Sequence, residues 1–174
     1  YGSGSTLEFD TGGSFTIDGS TTLWVTGAIR GQGVPDNVTV ASTGPLNIFE
    51  ARDVTGDLAV NSSGSVKQGN NAFIIQGDFQ NSGTYSFVSG GAERLTVQGK
   101  LTNDGTITLS DAIGGDVELE GDFDNNGTFN SNNRAIFFIG SGTQELDAAN
   151  DQFGFLVFNN TGGGVKLVNS DVTV

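Results

Sequence analysis

The chain has 174 residues and a formal net charge of −13, with 7 Lys+Arg against 20 Asp+Glu. A surface this acidic repels phosphate backbones and anionic lipid, so nucleic-acid binding is not expected, and no apolar run is long enough to insert into a membrane as a helix. The absence of Cys, Met and His removes thiol chemistry, His-based acid–base catalysis and the usual zinc and haem ligands, while 28 Gly and only 2 Pro point to many turns and short strands.

Residues 1–50 carry short alternating runs, Leu7 with Phe9, Phe15 with Ile17 and Leu23 with Val25, cut by Gly12-Gly13 and Gly19. Trp24 has the wrong parity for the apolar face of its run and is expected on an outer face or in a coil of different width, where it serves packing. The Gly/Pro cluster from Gly31 to Asp36 marks the stretch near 30–44 as a projecting loop. Leu46 and Ile48 resume the alternation, and Gly56-Asp57-Leu58 opens the regular coils, residues 51–146.

Within these coils a single phrase is written three times: Gly77-Asp78-Phe79-Gln80-Asn81-Ser82-Gly83-Thr84, Gly99-Lys100-Leu101-Thr102-Asn103-Asp104-Gly105-Thr106 and Gly121-Asp122-Phe123-Asp124-Asn125-Asn126-Gly127-Thr128, in steps of 22 residues. Self-similarity at such a period marks a stack of one supersecondary unit. Apolar residues alternate before and after each anchor glycine, Ile75 and Phe79, Val97 and Leu101, Leu119 and Phe123, the period of a half-buried strand. A second alternation follows at Tyr85 with Phe87 and Ile107 with Leu109, so each period holds at least two strands separated by an Asn-x-Gly-Thr corner. Each strand can then lie parallel to its counterpart one period on, about 4.8 Å away. The expected fold is all-β, a right-handed parallel β-helix (β-solenoid) of about 22 residues per coil, about eight coils in all, with open ends.

Several residues acquire roles from this stacking. Phe79, Leu101, Phe123, Ile75, Val97 and Leu119 are the core columns. Asn81, Asn103 and Asn125 share the inward parity and are expected to form an amide ladder at the corner. Gly83, Gly105 and Gly127 follow because a sharp corner often needs positive φ.

After the third copy Ile136, Phe138 and Gly140 repeat the strand-then-glycine pattern, and residues 147–174 form terminal coils that begin with a polar loop near 147–152. The closing Asp171-Val172-Thr173 echoes Asp53-Val54-Thr55, which leads into Gly56-Asp57-Leu58. Tyr1 is not expected to be a natural start. The chain is therefore expected to be one repeat of a larger array, or a protomer that stacks head to tail on copies of itself.

The residue after each anchor glycine, Asp57, Asp78, Lys100 and Asp122, forms an outward column. Its oxygens could hold Ca²⁺, but with Lys100 on the middle rung a solvated charge ladder is the simpler reading, so no cofactor is expected. Carboxylate pairs such as Asp122 with Asp124 or Glu118 with Glu120 share a face, as a glycosidase requires, yet so do most charged pairs on an exposed strand, and no enzyme activity is expected. Thr84, Thr106 and Thr128 form a further column; only Thr106 with Thr108 gives two threonines on one rung, so an ice-binding ladder is discounted. Asn37, Asn61, Asn126 and Asn159 stand in Asn-x-Ser/Thr acceptors, which makes a surface glycan chemically possible.

The run from Gly121 to Phe129, Ile139-Gly140-Ser141-Gly142-Thr143-Gln144, Phe158-Asn159-Asn160-Thr161-Gly162-Gly163-Gly164-Val165 and Gly33-Val34-Pro35-Asp36-Asn37-Val38-Thr39-Val40 together resemble the long repeats of very large secreted surface proteins of Bacteroidetes-type bacteria. The resemblance implies export to the cell surface by the type nine route and a role in adhesion, surface motility or an extracellular fibre. It carries over no catalytic residue. The functional expectation is a structural repeat of an extracellular fibre or adhesin whose partner is itself, with surface glycans as a further partner. The alternative is a carbohydrate-binding or carbohydrate-cleaving β-helix.

Overall fold

The computed structural model of the chain describes residues 14–17, 23–25, 37–41, 45–48, 52–149 and 151–174. The runs at Leu7 and Phe9, the 31–36 cluster and the side chain of Trp24 lie outside that description. The described residues contain strands and turns and no helix. Three all-parallel sheets form the walls of a β-solenoid: sheet A of eight strands, and sheets B and C of six each.

The central coils show how the repeat becomes a wall. Phe79–Asn81 lies in sheet A, Thr84–Phe87 in sheet B and Leu95–Val97 in sheet C. One coil later Leu101–Asn103, Thr106–Thr108 and Val117–Leu119 take the same places, and then Phe123–Asn125, Thr128–Asn130 and Ala135–Phe138. Phe79 pairs with Leu101 and Leu101 with Phe123 in sheet A, while Ile75, Val97 and Leu119 are in register in sheet C. All six side chains are buried, so neighbouring coils supply each other's core.

One expectation is sharpened and one changes. Each coil has three strands where the alternation gave at least two, because the period-2 pattern runs unbroken through the anchor glycine although the chain turns there. Phe73–Ile75 belongs to sheet C and Phe79–Asn81 to sheet A, with Gly77 at the corner between them. The coil count also falls. Among the described residues, six strands in each of sheets B and C make about six complete turns, and sheet A alone runs to eight strands; the step also varies, as Val38 pairs with Leu58, Leu58 with Phe79 and Phe123 with Leu146. The corners between sheets B and C absorb some of this variation, as in the longer link from Phe87 to Leu95.

Sheet B ends earlier than the others. Thr128–Asn130 is its last strand, whereas Gln144–Asp147 and Val165–Leu167 continue sheet A and Phe155–Phe158 continues sheet C. Where the next sheet-B strand would stand, the chain makes a turn. Gln152 forms only an isolated parallel bridge to Thr173, and the buried Phe153 ring fills the interior, 5.4 Å from Phe129 and 6.0 Å from Phe123.

Candidate functional site

The corner between sheets A and B is built from the inside. Asn81 Nδ2 donates to Asn103 Oδ1 at 2.8 Å and to the Thr106 carbonyl at 3.1 Å; Asn103 Nδ2 repeats this with Asn125 Oδ1 at 2.7 Å and the Thr128 carbonyl at 3.1 Å. All three asparagines are fully buried, and a buried amide stays only where its groups are paired. At the top, Asn125 Nδ2 reaches the Asp151 carboxylate at 3.0 Å and the Ala148 carbonyl at 3.4 Å. At the bottom Asn81 stands over Val60, and its Oδ1 is buried without a partner.

The glycines of this corner have a different reason from the one expected. Positive φ among the described glycines occurs at Gly90, Gly114 and Gly164, and not at Gly83, Gly105 or Gly127. What they supply is room: a Cβ on Gly105 would overlap the Gly83 carbonyl, and one on Gly127 the Gly105 carbonyl. The anchor glycines are stacked in the same way, with Gly121 over the Gly99 carbonyl. Successive corners approach so closely that backbone occupies the place of a side chain.

The outward column after each anchor glycine is tied from coil to coil by its carboxylates, which accept backbone N–H groups. Asp57 Oδ1 accepts the backbone N–H of Asp78 at 2.8 Å, Asp78 Oδ1 accepts that of Lys100 at 2.8 Å, and Asp122 Oδ1 accepts that of Glu145 at 2.7 Å. Each carboxylate caps the equivalent residue one coil up. The Lys100 ammonium lies 2.8 Å from Asp124, and this bond, with the fields of Asp124, Asp122 and Asp78, raises its pKa. The carboxylate pairs weighed for catalysis are likewise engaged: Glu118 with Arg94, Glu120 with Gln98 and Asp124 with Lys100. Among the described residues no group of three or more acidic side chains is arranged to hold a metal ion.

The three outer faces differ in chemistry. Sheet A carries the carboxylate column, and sheet C carries Glu118 with Arg94, whose guanidinium lies 4.7 Å over the Phe137 ring. Sheet B presents hydroxyls and amides in register, Thr84, Thr106 and Thr128 in one row and Ser86, Thr108 and Asn130 in the other. Above Asn130 a slot of about 400 Å³ opens between residues 129–133 and 151–154. The candidate glycan acceptors Asn37, Asn61, Asn126 and Asn159 are all exposed, although Asn37 Oδ1 accepts the Asp57 N–H and Asn126 Nδ2 bonds Asp104 and Asp124.

Three polar groups that hold the interior together escaped the sequence reading. Tyr85 donates to Gln68 Oε1 at 2.5 Å, and Gln68 Nε2 donates to the carbonyls of Asn71 and Arg94. Burial pushes the Tyr85 phenol well above its usual pKa. Gln144 ties a corner by donating to the Leu119 and Gly121 carbonyls and accepting from Gly140 N–H and Asn160. Asp151 accepts the Phe129 N–H at 2.8 Å, doing with a side chain what the absent strand would do with a carbonyl. Inward parity at Gln68 and Gln144 was the available signal; Asp151, in a polar turn, offered none.

No protein-family model, curated protein or solved structure matches this chain.

Proposed function

We propose that the chain is a structural repeat of an extracellular fibre or surface adhesin, which works by end-to-end continuation of its coils and performs no chemistry of its own. The observation that carries this is the state of the core columns at the last coil. Phe158 stands in register over the buried Phe138, and Leu167 over the buried Leu146. Yet Phe158 is 57% and Leu167 52% exposed.

Large apolar side chains on column positions are groups that a further coil would cover, at roughly 25 cal/mol per Å² of apolar surface buried. That coil comes from an adjoining repeat or from a second copy of the chain, a head-to-tail contact that does not close. The strand edges of sheets A and C above these residues offer backbone pairing in the same direction. Acidic outer walls keep such a rod soluble and separate from its neighbours.

The test is negative-stain electron microscopy with light scattering on the purified chain. Filaments or oligomers that grow with concentration are expected, and a Leu167→Asp variant should remain monomeric with an unchanged far-ultraviolet spectrum. A wild-type chain that stays monomeric at high concentration would remove self-assembly between separate copies. Covalent continuation is then tested with two chains joined in tandem: their melting temperature should exceed that of the single chain, and equal melting would remove the reading altogether.

A further inference from the structure

The outer face of sheet B is the wall whose central rungs combine low charge with hydroxyl and amide side chains; sheet C is as low in charge but presents Ile74, Phe137 and Val157. From Thr84 to Asn130 its outward side chains are Thr84, Ser86, Thr106, Thr108, Thr128 and Asn130, with Lys67 one rung below as the single charge. Parallel pairing keeps them in straight rows. In a chain of net charge −13, such a strip excludes both kinds of charged partner: a cationic one is drawn to the carboxylates of the other walls, and an anionic one is repelled by the molecule as a whole. Hydroxyls and carboxamides both donate and accept hydrogen bonds, which is what the hydroxyls of a neutral sugar require.

Size decides between a sugar and a protein. Four rungs about 4.8 Å apart, on strands of three or four residues at about 3.3 Å each, give a strip of roughly 200 Å². A stable protein contact needs on the order of 800 Å² from each partner. The strip by itself falls short of that, and its narrow, elongated form suits an extended ligand.

The slot continues the strip. It opens directly above Asn130, and its volume of about 400 Å³ falls in the range of small-ligand sites, about 300–1,000 Å³. Its two lips carry the exposed amides of Asn133 and Gln152, which have no hydrogen-bond partner among the described residues. Asp151 spends Oδ2 on Asn125 and Phe129, leaving Oδ1 to accept from a ligand. The lining is polar above, with the buried Phe129 and Phe153 beneath it.

We propose that the outer face of sheet B and this slot bind a linear neutral polysaccharide, which lies along the hydroxyl rows with one end between Asn133 and Gln152. This inference does not rest on the fibre reading: monomeric particles in micrographs would leave it standing, and failure to bind sugar would leave the fibre reading intact.

The experiment is affinity electrophoresis of the intact chain in native gels containing a neutral β-glucan (laminarin), a neutral xylan, dextran or, as an anionic control, alginate. Retardation is expected in at least one neutral gel and none in alginate. Thr108→Glu, which puts a charge on the strip, and Gln152→Ala, which clears one lip of the slot, should each weaken binding on the order of tenfold, the loss of one or two hydrogen bonds. Thr102→Glu, on the outer face of sheet A, should not. Absence of retardation in every neutral gel overturns the proposal, as does an equal loss from Thr102→Glu. Should sedimentation show a dimer that Thr108→Glu dissolves, the strip is a contact between copies and the proposal falls. If Thr108→Glu melts early, Gln152→Ala, in an exposed turn, still decides the slot.

Discussion

The two ends of the asparagine ladder are finished differently. At the upper end Asn125 meets a carboxylate and a carbonyl, and Asp151 also takes up the N–H of Phe129. At the lower end Asn81 rests on Val60 with its buried Oδ1 unpaired. Between them each amide is satisfied by the next, so the polar groups inside the coil carry little net cost until the ladder stops. The difference teaches that a buried repeat of this kind has its energetic liability at its termini. An irregular turn, such as the one that displaces a sheet-B strand, can be the better terminus if it brings an acceptor.

The largest test strikes the middle, on which both ends depend. Leu101 is fully buried between Phe79 and Phe123. Leu101→Asp places an unpaired charge in the column, at a cost on the order of 4 kcal/mol or more, a large fraction of a typical folding free energy of about 5–15 kcal/mol. Far-ultraviolet circular dichroism should show the cooperative transition lost or moved far down in temperature. Normal melting would mean that the column is not the core.

Next in size is the upper terminus itself. Asp151→Ala leaves two buried donors, Asn125 Nδ2 and the Phe129 N–H, without their carboxylate, and should cost about 2–3 kcal/mol in urea unfolding. Asp151→Asn keeps an acceptor oxygen and should recover much of that loss. Hydrogen exchange at the Phe129 amide gives a local reading: it should quicken in the alanine variant, and unchanged protection would show that the turn does not cap the strand.

These two residues also mark what could be read in advance. Leu101 was legible because a column position must recur at the coil length, and a 22-residue step leaves that mark in the sequence. The inward amides of Asn81, Asn103 and Asn125 were legible by the same parity. The third strand per coil was not, because alternation passes through Gly77, Gly99 and Gly121 as though the strand continued. Asp151 was invisible for a physical reason: its partners are 22 and 26 residues away, and it works by replacing a backbone group that the repeat would otherwise provide. The corner glycines were found by their spacing but misread, since close stacking of backbones and positive φ select the same residue type.

At the lower terminus the expected change is a gain. Val60→Thr keeps the β-branched shape in sheet A and sets a hydroxyl beneath Asn81, able to donate to the unpaired Oδ1. Satisfying one buried acceptor is worth about 1 kcal/mol, offset to some degree by burying the hydroxyl, so the variant should equal or exceed the wild type in urea midpoint. An ordinary buried Val→Thr change destabilises; a loss as large as that made by Val40→Thr, whose neighbour above is apolar, would show that Asn81 has no real deficit.

The smallest effect belongs to the exposed counterpart of the ladder. Outside the wall, Asn37, Asp57 and Asp78 each cap the backbone N–H one coil up, and the series breaks at Lys100, which offers no acceptor to the residue above it. Here water can finish the broken end, which it cannot do at Asn81. Asp78→Asn retains the oxygen that accepts the Lys100 N–H and should shift the urea midpoint by no more than a few tenths of a kcal/mol. Removing one carboxylate near Lys100 also removes one of the fields that raise its pKa, which a titration of the lysine would register as a small downward shift. If Asp78→Asn instead cost as much as Asp151→Ala, the distinction between buried and solvated ladder ends would be lost, because the charge and not the hydrogen bond would be holding the outer column.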